Sequence, residues 1–101
     1  MGFWSWLTGV KRTRVVAQEQ LPRGQFLAIR GSGAGLSWEK GVPMKQRGCG
    51  TWVWDTHRAV PHDCEFKVLL NDTQYEEGPN HRLFLGETCT IRPEFIHIER
   101  S

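Results

Sequence analysis

The chain has 101 residues, 39% of them apolar and 24% charged, and its 13 basic and 11 acidic side chains leave a net charge of +2. A domain of this length buries ~60–65% of its unfolded surface, enough for one modest core, which excludes the large multilayer enzyme folds. The composition is that of an ordinary globular chain and excludes bulk disorder, and the charge is too small for a strong nucleic-acid signal.

Residues 1–12 read as a unit of their own. Phe3, Trp4, Trp6, Leu7 and Val10 are apolar, Lys11 and Arg12 follow, and Gly2 and Gly9 weaken the helical spacing. The expectation is a mobile or loosely docked segment. A protein partner or a membrane surface is the sharper reading of its indoles. Neither a secretory leader nor a myristoylation signal is expected there. No apolar run approaches the ~18–20 residues of a membrane span.

Residues 13–101 are expected to form one all-β domain. Residues 13–17 predict a first strand, and Pro22-Arg23-Gly24 a turn. Residues 25–30 are apolar and partly β-branched, hence a second strand. The run Gly31-Ser32-Gly33-Ala34-Gly35 is a flexible connection; it lacks both the Lys-Ser/Thr of a phosphate-binding loop and a helix to follow it. Residues 44–46 predict a short edge strand. Residues 51–56 alternate with Trp52 and Trp54 on one face. In residues 64–70, Cys64, Phe66, Val68 and Leu70 point inward, while Glu65 and Lys67 point out. Asn71-Asp72 is a turn signal, Tyr75 opens a short strand, and residues 82–85, 88–91 and 95–98 complete the set. About seven or eight short antiparallel strands at this spacing predict an immunoglobulin-like β-sandwich.

Three cysteines without CxxC spacing do not form a disulfide scaffold, and reduced thiols in a cytoplasmic protein are expected. His57, His62, Cys64 and His81 match no metal-ligand ladder, so no metal is expected. Ser32 and Ser37 have no neighbouring base in the sequence. Glu76 and Glu77 face opposite ways on a strand and cannot act as a paired acid and base. No enzyme and no cofactor are expected.

Five Trp and five Phe beside a single Tyr are more aromatic area than this core needs. Trp38 lies on a connection after the glycine run, and Tyr75 lies on a rim after the Asn71-Asp72 turn. Two rim aromatics near an outward Lys67 and Asn80 suit a ligand with an apolar face and a belt of hydroxyls, which describes a sugar ring.

From Gln25 to about Leu85 the chain carries an ordered series of short motifs: Leu27-Ala28-Ile29-Arg30-Gly31, Leu36-Ser37-Trp38, Trp52-Val53-Trp54, Val60-Pro61, Cys64-Glu65-Phe66-Lys67-Val68, Tyr75-Glu76 and Asn80-His81. On this series rests a resemblance to the starch-binding domains, the family 20 carbohydrate-binding modules and their glycogen-binding relatives. It implies a non-catalytic site for an α-glucan (starch, glycogen or malto-oligosaccharides) formed by Trp38, Lys67, Tyr75 and Asn80, with Trp52 as the core tryptophan. Only Ser37 separates Leu36 from Trp38, one residue fewer than in the family; Tyr75 stands for a tryptophan, Cys64 for a phenylalanine and His81 for an arginine. The family's second, tyrosine-dependent site is not carried over, because Tyr75 is the sole tyrosine. The competing expectation is a protein-interaction sandwich that keeps the scaffold without the sugar. A single-stranded nucleic-acid platform would stack bases on the same rings, and the small net charge counts against it.

Overall fold

The computed structural model describes residues 12–100. The expectation for residues 1–12 lies outside them except at Arg12. Nine strands follow in order among the described residues: β1 (Thr13–Gln18), β2 (Leu27–Gly31), β3 (Val42–Pro43), β4 (Lys45–Gln46), β5 (Thr51–Thr56), β6 (Glu65–Leu70), β7 (Gln74–Tyr75), β8 (His81–Arg82) and β9 (Thr88–Ile91). They form two sheets packed as a sandwich, one ordered β4-β5-β1-β9 and the other β3-β2-β6-β7 with β8 also on β6. The protein is thus an all-β sandwich.

The alternation read from the sequence sets the core. From one sheet, Val15, Ala17, Trp52 and Trp54 point inward; from the other, Leu27, Ile29, Phe66, Val68 and Leu70 do, and all are buried. Register matches sizes across strands. The small Val15 and Ala17 stand opposite Trp54 and Trp52, and Gly31 stands opposite Phe66. A Cβ on Gly31 would collide with the backbone carbonyl of Glu65, so glycine is required where β2 and β6 approach at this end. The Trp52 indole nitrogen, buried with its ring, donates to the Glu19 carbonyl at 3.0 Å.

Four sequence expectations need correction. The edge strand at 44–46 is two pieces. β3 pairs with β2 and β4 with β5, so the chain crosses from one sheet to the other between them. Met44 plugs that crossing, buried and donating its N–H to Leu27 at 2.8 Å. The strand expected at 82–85 ends at Arg82. Leu83 turns into the core, and a turn closed by Glu87 N–H on the Phe84 carbonyl leaves Phe84 and Leu85 outside. Residues 95–98 are no strand. They follow Pro93, which has no N–H to give a ladder, and the segment is tied instead by Glu77 N–H to Glu94 O at 2.7 Å and the Gln25 amide to Glu99 O at 2.7 Å. Nor is the sandwich wholly antiparallel in seven or eight strands. After β8 the chain crosses to the other sheet and β9 runs parallel to β1, placing Cys89 and Ile91 beside Val15 and Ala17.

The glycine run is less free than expected. Gly33 and Leu36 bridge across a tight turn, and the Ser32 hydroxyl accepts the Glu65 N–H at 3.0 Å. The Cys64 thiol donates to the Ser32 carbonyl, and burial pushes its pKa up.

Candidate functional site

Of the four residues picked from the sequence, Lys67 on β6 and Tyr75 on β7 lie on the outer face of the five-stranded sheet, while Trp38 and Asn80 lie on loops tied to that face, Trp38 by its backbone carbonyl and Asn80 by its side-chain amide. On β2, inward Leu27 and Ile29 leave Ala28 and Arg30 facing out; on β6, inward Phe66, Val68 and Leu70 leave Glu65, Lys67 and Leu69 facing out. Arg30 is the cross-strand partner of Lys67, and Tyr75 that of Leu69.

Arg30 organises this face. Its Nε donates to Asp72 Oδ1 at 2.9 Å and its Nη2 to the Asp72 carbonyl at 2.9 Å. Its Nη1 lies 3.0 Å from the Trp38 carbonyl and 3.5 Å from the Tyr75 hydroxyl. The guanidinium carbon is 5.8 Å from the Tyr75 ring centre, within cation–π range. One planar donor group therefore joins the loop of Trp38, the β6–β7 turn and β7.

The turn supplies the matching carboxylate. Asn71 and Asp72 both adopt left-handed backbone angles, φ 54° and 56°, which these two residue types tolerate better than most. The Asn71 side chain accepts the Phe26 N–H at 3.0 Å, which pins the turn to the start of β2. Asp72 Oδ2 accepts the Gly41 N–H at 3.1 Å. A Cβ on Gly41 would overlap the Asp72 carboxylate and press on Ala28, so the end of the Trp38 loop lies flat on the sheet only because residue 41 is glycine. The hydrogen bond from Arg30 chiefly holds the Asp72 carboxyl below the ordinary range. The Gly41 N–H and the charges of Arg30 and Lys40 act in the same sense, against partial desolvation. The same pairing raises the pKa of Arg30.

Lys67 clamps the next loop. Its ammonium donates to the carbonyls of Glu76 at 2.8 Å and Gly78 at 2.5 Å, which leaves one of its three donors uncommitted among the described residues. Beneath it, Glu76 is 3% exposed. Its carboxylate accepts the Val68 N–H at 2.7 Å and meets His81 Nε2 at 2.8 Å, and the His81 ring packs 5.0 Å from Phe66. Asn80 gives one amide hydrogen to Glu65 Oε1 at 3.0 Å. Tyr75, Lys67 and Asn80 thus sit along five consecutive residues of β6, about 13 Å of strand.

Arg30 joins the Trp38 backbone carbonyl to the Tyr75 hydroxyl, with Lys67 as the next residue across and Asn80 at the end of the clamped loop. Trp38 is partly exposed and Tyr75 is 42% exposed, whereas Trp52 is 4% exposed. Sequence reasoning missed Arg30 and Asp72. The available signal was an outward arginine in an apolar strand opposite an outward lysine, a pair whose repulsion calls for a carboxylate nearby. Glu76 and Glu77 follow β7 instead of lying on a strand as expected; Glu76 is buried and Glu77 exposed, and the role of Glu76 as a buried anchor was not foreseen. The His57, His62, Cys64 and His81 side chains do not converge, and no group of three or more metal-ligand side chains forms among the described residues.

Comparison with protein-family models and with curated proteins finds no match. Among solved structures the chain is similar to the glycoside hydrolase family 15 glucoamylase from Hypocrea jecorina, with a TM-score of 0.62 and 14% sequence identity. The match covers 83% of this chain and 17% of the glucoamylase, so this chain corresponds to a small part of that protein's length. A likeness at this identity defines a shared sandwich fold.

Proposed function

We propose that the protein is a non-catalytic binding module for α-glucans, with Trp38 and Tyr75 stacking on glucose faces and Lys67 and Asn80 donating to hydroxyls. The observation that carries this reading is the convergence of the Trp38 backbone carbonyl and the Tyr75 hydroxyl on a single nitrogen of Arg30, which ties the loop of Trp38 to the sheet face that carries Tyr75. Lys67 and Asn80 each keep a donor hydrogen without a partner among the described residues. The likeness of the fold to part of a glucoamylase supports the same reading. Asp72, Glu76 and Glu65 are all engaged by donors of the fold, which favours binding over acid–base chemistry at this face. A shallow platform leaves much of the ligand wet, so the affinity is weak. Three free thiols, one of them buried, support a reducing, cytoplasmic setting.

Titration of the 15N-labelled protein with maltoheptaose tests the proposal. The expected result is a saturable shift of the Trp38 indole and of amides around Tyr75 and Asn80, with the Trp52 indole unmoved and little dependence on salt because the ligand is neutral. An unmoved Trp38 signal at millimolar sugar overturns the glucan reading in favour of a protein-interaction sandwich.

A further inference from the structure

A second candidate site lies at the side edge of the sandwich, where the chain crosses between the sheets at Met44, and it does not depend on the glucan reading. Arg47 N–H bonds the Thr51 carbonyl at 2.7 Å, so Thr51, and by alternation Val53 and Asp55, turn their backbone groups towards β4. But β4 begins at Lys45, opposite Val53. Continued by two residues, the same register would set Pro43 opposite Asp55. Pro43 pairs instead with Ala28 of the other sheet and has no N–H to give. The edge of β5 is therefore uncovered at Asp55, with no strand opposite its N–H.

The gap forms a hollow of about 230 Å³. Val42, Pro43, Val53 and Trp54 give it apolar walls, and Lys45, Arg47 and Asp55 its charges. The Asp55 carboxylate is already answered on the β1 side, by Arg14 Nη2 at 3.2 Å and Arg12 Nε at 3.9 Å. Lys45 and Arg47 are exposed and make no ion pair among the described residues. Lys45 shares its face with Val53, its cross-strand partner, and Arg47 follows two residues on. The hollow thus holds two uncommitted cations, one of them a planar fork that matches both oxygens of a carboxylate. Together with the uncovered N–H and the apolar walls they complement an anion with an apolar body.

We propose that this hollow binds a small carboxylate that carries an apolar or aromatic group. The carboxylate oxygens accept from Lys45, Arg47 and the Asp55 N–H, and the body of the ligand lies against Val42, Val53 and Trp54.

Titration of the 15N-labelled whole chain with 3-phenylpropionate tests this, beside its neutral amide and beside acetate, which lacks the apolar body. The expected result is a saturable shift of the amides of Val53, Trp54 and Asp55 at millimolar 3-phenylpropionate, weakened by added salt. The neutral amide and acetate should each bind about tenfold more weakly, one for want of charge and the other for want of apolar contact. Lys45→Gln combined with Arg47→Gln should weaken 3-phenylpropionate binding about tenfold. The double variant should keep the parental thermal midpoint and the maltoheptaose shifts, which separates this test from that of the glucan site. Absence of a saturable shift at these amides overturns the proposal. So does equal binding of the neutral amide or of acetate, which would show that the charge or the apolar walls are not used, and so does parental binding by the double variant, which would place the ligand elsewhere.

Discussion

Arg30 and Asp72 are joined twice, Nε to the carboxylate and Nη2 to the backbone carbonyl, each at 2.9 Å. This double link spans 42 residues of sequence and fixes the turn that carries Asp72 against the strand that carries Arg30. Both aromatic positions of the candidate site are tied to it, since the remaining arm of the guanidinium reaches the Trp38 backbone carbonyl and the Tyr75 hydroxyl.

Replacing Asp72 by Asn should therefore lower the thermal midpoint at neutral pH and weaken glucan binding together, without unfolding the core. The sign with pH follows from the depressed Asp72 carboxyl. Its contribution is complete above the ordinary carboxylate pKa of about 3.9 and is lost as pH falls through the lower folded value. The gap in midpoint between parent and Asp72→Asn should shrink as pH drops below about 4. A gap that stays constant down to the acid limit would show that the ion pair is not its source.

Trp38→Ala should weaken maltoheptaose binding by roughly tenfold or more, because stacking on an aromatic ring is worth ~1–3 kcal/mol in nucleic-acid platforms and 1.4 kcal/mol is a decade. Tyr75→Trp should hold or strengthen binding by enlarging the platform. Calorimetric titration of both variants checks the pair. A Trp38→Ala protein that binds like the parent would remove Trp38 from the site.

From the sequence, Lys67→Met removes one exposed donor and has a small effect. Its two bonds to the Glu76 and Gly78 carbonyls change that expectation. The substitution should free the loop that carries Asn80, lowering the thermal midpoint as well as the affinity. Amide hydrogen exchange should rise at residues 77–80 and stay at parental values in β5; a parental exchange pattern in that loop would return Lys67 to the role of a simple donor.

Phe66 has no exposed surface and faces Gly31 across the strand pair. Phe66→Ala should cost ~3–5 kcal/mol, against a total stability of ~5–15 kcal/mol. Urea denaturation should show a large fall in midpoint; a shift equivalent to under ~1 kcal/mol would contradict its place at the centre of the core.

Thiol reactivity should follow burial. Cys49 is exposed, Cys89 intermediate and Cys64 buried, and burial raises the pKa of the last two, so they hold less reactive thiolate. A short iodoacetamide pulse followed by peptide mapping should find Cys49 labelled first and Cys64 last. Equal labelling of Cys64 in the native protein would contradict the packing at Ser32.

The sequence by itself determined the strands whose residues alternate strongly. Residues 51–56 and 64–70 carry enough period-two contrast that facing and burial follow from local side-chain chemistry. It also determined that Trp38 and Tyr75 lie on connections or rims, because glycine runs and Asn-Asp turns place residues at the surface. Weakly patterned stretches were decided by the tertiary structure. Phe84 and Leu85 read as strand, yet the Gly86 turn and its bond to Thr13 hold them outside. Residues 95–98 read as strand, yet their backbone has no ladder to join. The parallel pairing of β9 with β1 depends on where a crossover lands, which no local pattern encodes. Arg30 belongs to the same class, because its partners lie 8, 42 and 45 residues away and meet it only after the two loops have folded onto one face of the sheet.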